Sequence, residues 1–496
     1  MNTEKDIIVG LDIGTTKIAC FIGKRGENGK VCILGYGKTQ SKGVERGVVK
    51  NIKSTSESIM KAVETASEQA GVSVSEVYVG IAGQHIKSIQ SMGSIMIPPE
   101  HKIIEQEDVD QLIEQQHNIA LGPGEDIIHV FPQSFAVDGE DISSEVGPVG
   151  VAGKQLKANF HIVTGNTLNL LNISDSVERA GLKIKGVVLE PIASALAVLD
   201  DNDRDAGVAL VDIGGGTTDI AIFHDSIIRH TSVLPLAGNA ITFDIKEGCK
   251  ILKNQAETLK TRFGSCLPQN VNENDVISIP GIRSQPPREI SMKTLAGIIK
   301  ARTETILEQV DYEIKKSHLD KHLIAGIVLT GGGAQLRHIK ELTEYITGID
   351  TRIGLPDEHL EKGTDKEIIN TMYATGIGLV LYGIEKSEEA RRREEENGFI
   401  KNEEADIEEP ANEKQPADFI FDVLPDMPEN NAKIDEVEAE EETVETKQEV
   451  KKPKNKKESK KKRGFGANFT SAIEEYFNKV FNDGNIRNEG KDEIDL

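Results

Sequence analysis

The hydrophobic positions of this chain fall into short apolar runs broken by glycine turns, alternating with longer stretches of helical spacing. At 207–224, GVALVDIGGGTTDIAIFH, one apolar run enters a turn on Gly214, Gly215 and Gly216 and a second leaves it, which predicts a β-hairpin with an open glycine tip. Residues 7–23, IIVGLDIGTTKIACFIG, repeat the pattern two hundred positions earlier: strand, Asp, Gly-Thr-Thr turn, returning strand. A repeat of this length predicts two similar domains. Helical spacing predicts a long helix over 52–70, capped at Ser54 or Ser56, then a buried strand at 77–82. From 84 to 164 the pattern changes to a short helix (107–115) among strands such as 127–133 and 160–164, and reads as an insertion. Beyond it come a helix (167–180), a strand ending at Glu190, helices over 240–263, a short strand (276–280) and a helical run over 288–310.

Glycines without side chains expose backbone N–H groups, and the Thr217 and Thr218 hydroxyls add donors, so the tip is a concave anion cradle. Carboxylates beside it, Asp212 and Asp219, serve phosphate only through a cation, which points to Mg2+ and a nucleotide. If the repeats face each other, Asp12, Gly14, Thr15, Thr16 and Lys17 meet Asp212, Gly214–216 and Thr217 across a cleft that takes one phosphate chain. A third glycine run, Gly331, Gly332 and Gly333, follows an apolar strand (324–329) and opens a predicted helix (336–346), a site for the α-phosphate and ribose side. The spacing of a Walker A loop is absent from all three runs.

Composition narrows the classes. The 496 residues are too many for one core. No apolar window is long enough to span a bilayer and the N-terminus is polar, so neither a transmembrane helix nor a signal peptide is expected, and the chain is expected in the cytoplasm. A net charge of −24 argues against nucleic acid as the main partner. Cys20, Cys32, Cys249 and Cys266 form no CxxC pair and read as buried reduced thiols, and no transition metal is assigned.

The charge is unevenly spread. Residues 387–449 hold 23 acidic and 7 basic side chains, a balance of −16, and 451–463 then hold nine Lys or Arg against one Glu. With almost no periodicity, 387–463 read as a disordered tether of roughly 50 Å reach. Its one apolar knot is 419–425. Directly after it Phe469, Ala472, Ile473, Tyr476, Phe477, Val480 and Phe481 form an amphipathic stripe, with Phe465 just before, and Gly484 can end the helix. An apolar helical face beyond a tether, beside a basic run, fits an anionic membrane surface; the alternative is docking on its own globular body or a partner groove.

The two hairpins and the late glycine turn, together with LEPIASAL at 189–196 and MYATGIGL at 372–379, resemble the nucleotide site of the actin, Hsp70 and sugar-kinase superfamily. Within it the inserted stretches VDG (137–139), VGPVGVAG (146–153) and FHIVTG (160–165), and the terminal amphipathic helix, are similar to the FtsA family of bacterial cell-division proteins. The resemblance implies an α/β, actin-like (ribonuclease H-like) two-domain fold with an FtsA-type inserted subdomain. It divides the chain into a first half-domain (1–83 and 165–195), the insert (84–164), a second half-domain (196–229 and 306–386), a subdomain at 230–305, the linker (387–463), the amphipathic helix (464–484) and an acidic tail (485–496). It further implies ATP held with Mg2+ near Asp12 and Asp212, Lys17 and the turn amides on the phosphates, and Glu190 orienting water or metal, although Glu190 would also suit a helix N-terminus. Glu257 and Lys260 would clamp ribose and adenine, unless they are a surface i,i+3 pair. Arg288 and Arg302 would receive the C-terminal peptide of FtsZ, unless they are simply solvated. Self-association into filaments, contacts with other division proteins, at most slow hydrolysis and a peripheral place at the inner membrane and septum complete the expectation. Glu474, Glu475 and the acidic tail depart from it, since they oppose adsorption to anionic lipid. A small-molecule kinase and a chaperone-type ATPase of the same superfamily are the rival readings.

Overall fold

The computed structural model describes residues 7–26, 28–98, 103–143, 146–281 and 286–405. Strand β1 (Ile8–Ile13) is buried along its whole length, so its sheet is covered on both faces. The chain continues through β2 (Lys17–Arg25), β3 (Val31–Gln40), the small hairpin β4 (Val44–Glu45) and β5 (Val48–Val49), α1 (Ile52–Ala70) and β6 (Glu76–Ile81). The insert follows: β7 (Lys87–Met96), α2 (Gln106–His117), β8 (Glu125–Val137), β9 (Glu140–Ile142) and β10 (Gln155–Asn166). Next come α3 (Thr167–Arg179), β11 (Lys183–Leu189), α4 (Glu190–Val198), α5 (Asp201–Ala206), β12 (Val208–Ile213), β13 (Thr218–His224) and β14 (Ile227–Leu234). The last part holds α6 (Gly238–Cys249), α7 (Lys253–Phe263), β15 (Val276–Ile279), β16 (Arg288–Ser291), α8 (Met292–Lys316), β17 (Ile327–Thr330), α9 (Ile339–Thr347), β18 (Thr351–Ile353) and α10 (Ala374–Ala405).

Two five-stranded sheets have one topology. The first runs β11-β6-β1-β2-β3 and the second β14-β13-β12-β17-β18, each an antiparallel three-stranded meander continued by two parallel strands. The repeat read from the two hairpins is thus a repeat of whole sheets. The insert is a separate four-stranded sheet, β7-β10-β8-β9, entering after β6 and returning to the first half before α3. Three local cores follow: Leu11, Ile18, Ile59 and Val177 under the first sheet; Val211, Ile220, Ile245 and Leu307 under the second; Leu112, Phe135 and Phe160 in the insert. A fourth joins the halves, with Phe21, Leu189, Tyr373 and the apolar faces of α4 and α10.

Three expectations shift. The long helix is capped by Asn51, whose side chain accepts from the Ser54 N–H, rather than by Ser54 or Ser56. The run at 288–310 is not helical from its start: 288–291 pair with β15 as β16, because Arg288 to Ser291 alternate against Val276 to Ile279. Finally, α10 passes 386, where the linker was expected to begin, and continues to Ala405, with Lys386 and Glu389 forming a buried i,i+3 pair at 2.9 Å that carries the folded body past that point. The remaining linker, its knot at 419–425 and the amphipathic segment with Phe465, Phe469, Ile473, Tyr476, Phe477, Val480 and Phe481 lie outside the described residues. No helix among the described residues is long and apolar enough to cross a membrane. The four cysteines are free, and burial pushes the Cys20 and Cys266 thiols up to about 12, whereas Cys32 and Cys249 are half-buried rather than buried.

Candidate functional site

The two hairpin tips meet. A Cβ added to Gly216 would lie 2.5 Å from Thr15 Oγ1 and 2.9 Å from the Arg46 Cα, and Gly215 packs as tightly on Thr16. The glycines of one tip are therefore the space into which the threonines of the other fit. Around this junction is one cleft of about 470 Å³. Asp12, the 14–17 turn, Glu190, Asp212, the 214–217 turn, Glu257, Lys260 and the three glycines at 331–333 all line it, so of the groups the sequence places about a nucleotide the structure brings together all but Thr218.

Its charges are held partly by their own turns and partly by helices from elsewhere in the chain. Lys17 Nζ pairs with Asp12 Oδ2 at 2.6 Å. Burial pulls the Lys17 ammonium down, but Asp12, with Asp212 and Glu190 beyond it, outweighs this and holds it above the ordinary lysine value. Asp212 Oδ2 accepts from Ser194 Oγ at 2.8 Å, on α4, and Thr375 Oγ1 at 3.4 Å, on α10. Thr217 Oγ1 donates to Asp219 Oδ2 at 3.0 Å. Burial, then the neighbouring carboxylates, pushes Glu190, Asp212 and Asp219 all upward. Thr218, expected in the cradle, is fully buried on the other side of β13 and donates to the Leu236 carbonyl at 2.9 Å, because successive strand residues face opposite ways.

Asp12, Glu190, Asp212 and Asp219 crowd together around Lys17, and a divalent cation would relieve their repulsion. Asp219 lines the cleft, and its Oδ1 is buried without a hydrogen-bond partner among the described residues. Among the described residues no three His, Cys, Asp or Glu side chains converge to hold a metal directly. The donor set thus fits a hard cation held mainly through water and ligand oxygens.

On the far side, Lys260 Nζ reaches Glu257 Oε2 at 2.9 Å, the Gly238 carbonyl at 3.0 Å and Thr242 Oγ1 at 2.9 Å. The lysine is only 12% exposed while Glu257 is 38% exposed, so the i,i+3 pair is buried at its lysine end and solvated at its carboxylate end. The first amides of α6 tie the same corner to the glycine tip: Gly238 N–H donates to the Gly214 carbonyl and Asn239 N–H to that of Gly215, at 3.1 and 2.8 Å. Gly331 takes φ +82°, where a side chain would be strained, and its carbonyl accepts from Thr371 Oγ1 at 2.7 Å. The helix expected immediately behind these glycines starts later, at Ile339. Arg337 is drawn into a β-bridge with Ser265, its carbonyl accepting the Cys266 N–H at 2.8 Å, and this keeps 336–338 out of the helix.

Glu190 is the first residue of α4 rather than the last of a strand. Arg302 holds Asp244 with two hydrogen bonds, of 2.5 and 3.1 Å, and Arg288 stands exposed on β16 with Nη1 on the Cys249 carbonyl at 3.4 Å. The sequence noticed Asp219 beside the tip without assigning it. It missed Lys38, on β3, which lines the cleft, pairs with Glu367 and donates to the Tyr373 hydroxyl at 3.1 Å. Lys38 has no local motif. Ser194 and Thr375 did leave a signal, as hydroxyls inside the apolar stretches at 189–196 and 372–379.

Two halves of one topology closing on a glycine-lined cleft define the actin-like class of fold. The solved "PilM-PilN type IV pilus biogenesis complex" shares it, with a TM-score of 0.55 at 14% identity over 76% of this chain and 98% of that one. An Hsp70 protein model matches residues 169–227. The particular lineage is narrower: residues 83–164 match the SHS2 domain inserted in FtsA, and 209–378 match cell division protein FtsA. Cell division protein FtsA of Pseudomonas aeruginosa is 36% identical over 77% of this chain and 90% of its own length, and that of Escherichia coli strain K12 is 33% identical over 77% and 91%. The chain belongs to the FtsA family and has a role in cell division.

Proposed function

We propose that this protein binds Mg·ATP in the cleft, assembles head to tail into filaments, and ties FtsZ to the cytoplasmic face of the inner membrane at the septum, where other division proteins join. The observation that supports the nucleotide reading is the docking of the two hairpin tips, which gathers Lys17, Asp12, Asp212 and both glycine turns around one cleft. Asp12 and Asp212 would hold Mg2+ mainly through its waters, and Asp219, whose Oδ1 has no hydrogen-bond partner among the described residues, would join them. The metal would supply positive charge against the phosphate oxygens. Glu190 would orient water at the mouth of α4. Its upward-shifted carboxyl fits slow turnover. Glu257 and Lys260 would clamp ribose and adenine.

The exposed Arg288 suits the acidic C-terminal peptide of FtsZ, whereas Arg302 would have to leave Asp244 to take part. The membrane contact is assigned to Phe465, Phe469, Ile473, Tyr476, Phe477, Val480 and Phe481, supported by the amphipathic stripe and the lysine run before it. Because Glu474, Glu475 and the acidic tail oppose it, adsorption should depend on avidity from assembly. Co-sedimentation with anionic vesicles tests this, comparing the full chain with one ending at Val450, with and without Mg·ATP. The full chain alone is expected to pellet, more so with ATP. If both stay in solution, the helix docks on protein and not on lipid.

A further inference from the structure

One side chain of the inserted sheet bonds the backbone immediately before a carboxyl that lines the cleft. Strand β11 is the outer strand of the first sheet, so an N–H on its open edge has no strand beside it. Leu189 ends that strand, and Glu190, next in the chain, opens α4 and lines the cleft. The Leu189 N–H donates to His129 Nε2 at 3.0 Å, and His129 belongs to β8, in the middle of the insert, paired with Val163 of β10.

The imidazole is 1% exposed and packs against the Phe131 ring at a centroid distance of 5.3 Å. Burial lowers its pKa to about 3, so it stays neutral. A neutral ring that accepts at Nε2 carries its proton on Nδ1, and Nδ1 is buried without a partner among the described residues. Packing alone would be served better by leucine or phenylalanine, which orphan no donor. The one thing the imidazole provides here is an acceptor for the backbone immediately before Glu190.

We propose that His129 is a positioning residue through which the inserted sheet fixes the backbone that carries Glu190 into the cleft. The bond holds the Leu189 amide at the junction of β11 and α4, and thereby the direction in which the Glu190 side chain leaves the helix start. A displacement of the insert relative to the first half is transmitted to the cleft through this hydrogen bond. The inference rests on the reading of Glu190 as the water-orienting group.

The test uses the full chain in four forms: wild type, His129→Leu, which removes the acceptor, His129→Gln, which can restore one, and Glu190→Gln. Two quantities are read, amide hydrogen exchange of the peptide spanning 186–195 without nucleotide, and ATP affinity beside turnover. Exchange at Leu189 and Glu190 should rise about tenfold in His129→Leu and return toward wild type in His129→Gln. Turnover should fall about tenfold in His129→Leu with ATP affinity kept, and more in Glu190→Gln. Unchanged exchange in His129→Leu overturns the proposal, as does a rise that His129→Gln does not reverse, which would be a mere loss of packing. If Glu190→Gln abolishes turnover while His129→Leu leaves it intact, His129 does not position Glu190. If neither changes turnover, it is the role of Glu190 that fails, and the exchange comparison alone decides whether His129 holds the backbone.

Discussion

The two hairpins that face each other across the cleft share a register and differ in chemistry. Asp12 pairs across its hairpin with Ala19, and Asp212 across its own with Asp219. The first tip carries Thr15, Thr16 and Lys17 where the second carries Gly215, Gly216 and Thr217. The first aspartate is answered by an ammonium from its own turn, while the second is answered by hydroxyls from the two helices that join the halves. One half brings bulk and a cation, and the other brings space and carboxylates. A duplicated fold becomes a binding site by losing this symmetry, because two identical threonine tips could not approach so closely and two glycine tips would leave a void.

The largest effects should come from refilling the space. In Gly215→Ala the added Cβ meets only the side chain of Thr16, whereas in Gly216→Ala it meets both Thr15 and the Arg46 Cα, which is backbone. Overpacking of this kind costs about 1–3 kcal/mol, so either variant should weaken ATP binding by roughly fivefold to 150-fold in calorimetry. Adding Thr16→Gly should restore much of the affinity to Gly215→Ala. Adding Thr15→Gly should not restore Gly216→Ala, since Arg46 stays in place. Equal rescue at both positions would mean that the tips do not dock as described.

A middle-sized effect should come from the carboxylates. Burial and mutual repulsion raise Glu190, Asp212 and Asp219 above their unfolded values, so the folded state binds protons more tightly than the unfolded one. The stability they contribute is present below about pH 4 and is lost as pH rises through the raised folded values. Without divalent metal, the melting midpoint should therefore carry a downward component from about pH 4 toward neutrality that Mg·ATP offsets. Asp219→Asn should flatten that component and raise the metal-free midpoint at neutral pH by about 2–4 °C, the equivalent of about 1 kcal/mol, while weakening Mg·ATP. An unchanged pH slope in Asp219→Asn would remove Asp219 from the cluster.

Much of this was legible in the sequence because its causes are local. Glycine spacing marks the tips, helical periodicity marks α1 and α3, and an Asp beside a glycine turn marks the charge. What the sequence hid depends on partners far along the chain. The Lys38 contacts with Glu367 and Tyr373, the Arg302 grip on Asp244 and the His129 bond to Leu189 each join segments that no window contains. The late start of α9 has the same origin, since Ser265 is what holds Arg337 extended. Strand pleat, rather than distance, decided that Thr217 faces the cleft and Thr218 does not.

The smallest effect should be the most specific to the asymmetry between the halves. Ser194 and Thr375 both approach Asp212 Oδ2, at 2.8 and 3.4 Å, and lie 3.0 Å from each other, so they compete to donate and share protons between them. Removing the closer hydroxyl in Ser194→Ala deprives a buried carboxylate of its best donor, at a cost of about 1 kcal/mol, which is about fivefold in Mg·ATP affinity. Thr375→Val should cost less, because its bond is long and Ser194 still serves the oxygen. In the double variant nothing replaces either hydroxyl, so the combined loss should exceed the sum of the two. Lys17→Met removes a charged donor from Asp12 in the other half, and because the Lys17 charge also acts on Asp212, its effect should couple to that of Ser194→Ala rather than simply add. Strict additivity of Ser194→Ala with Thr375→Val would mean that the two joining helices do not act on Asp212 together.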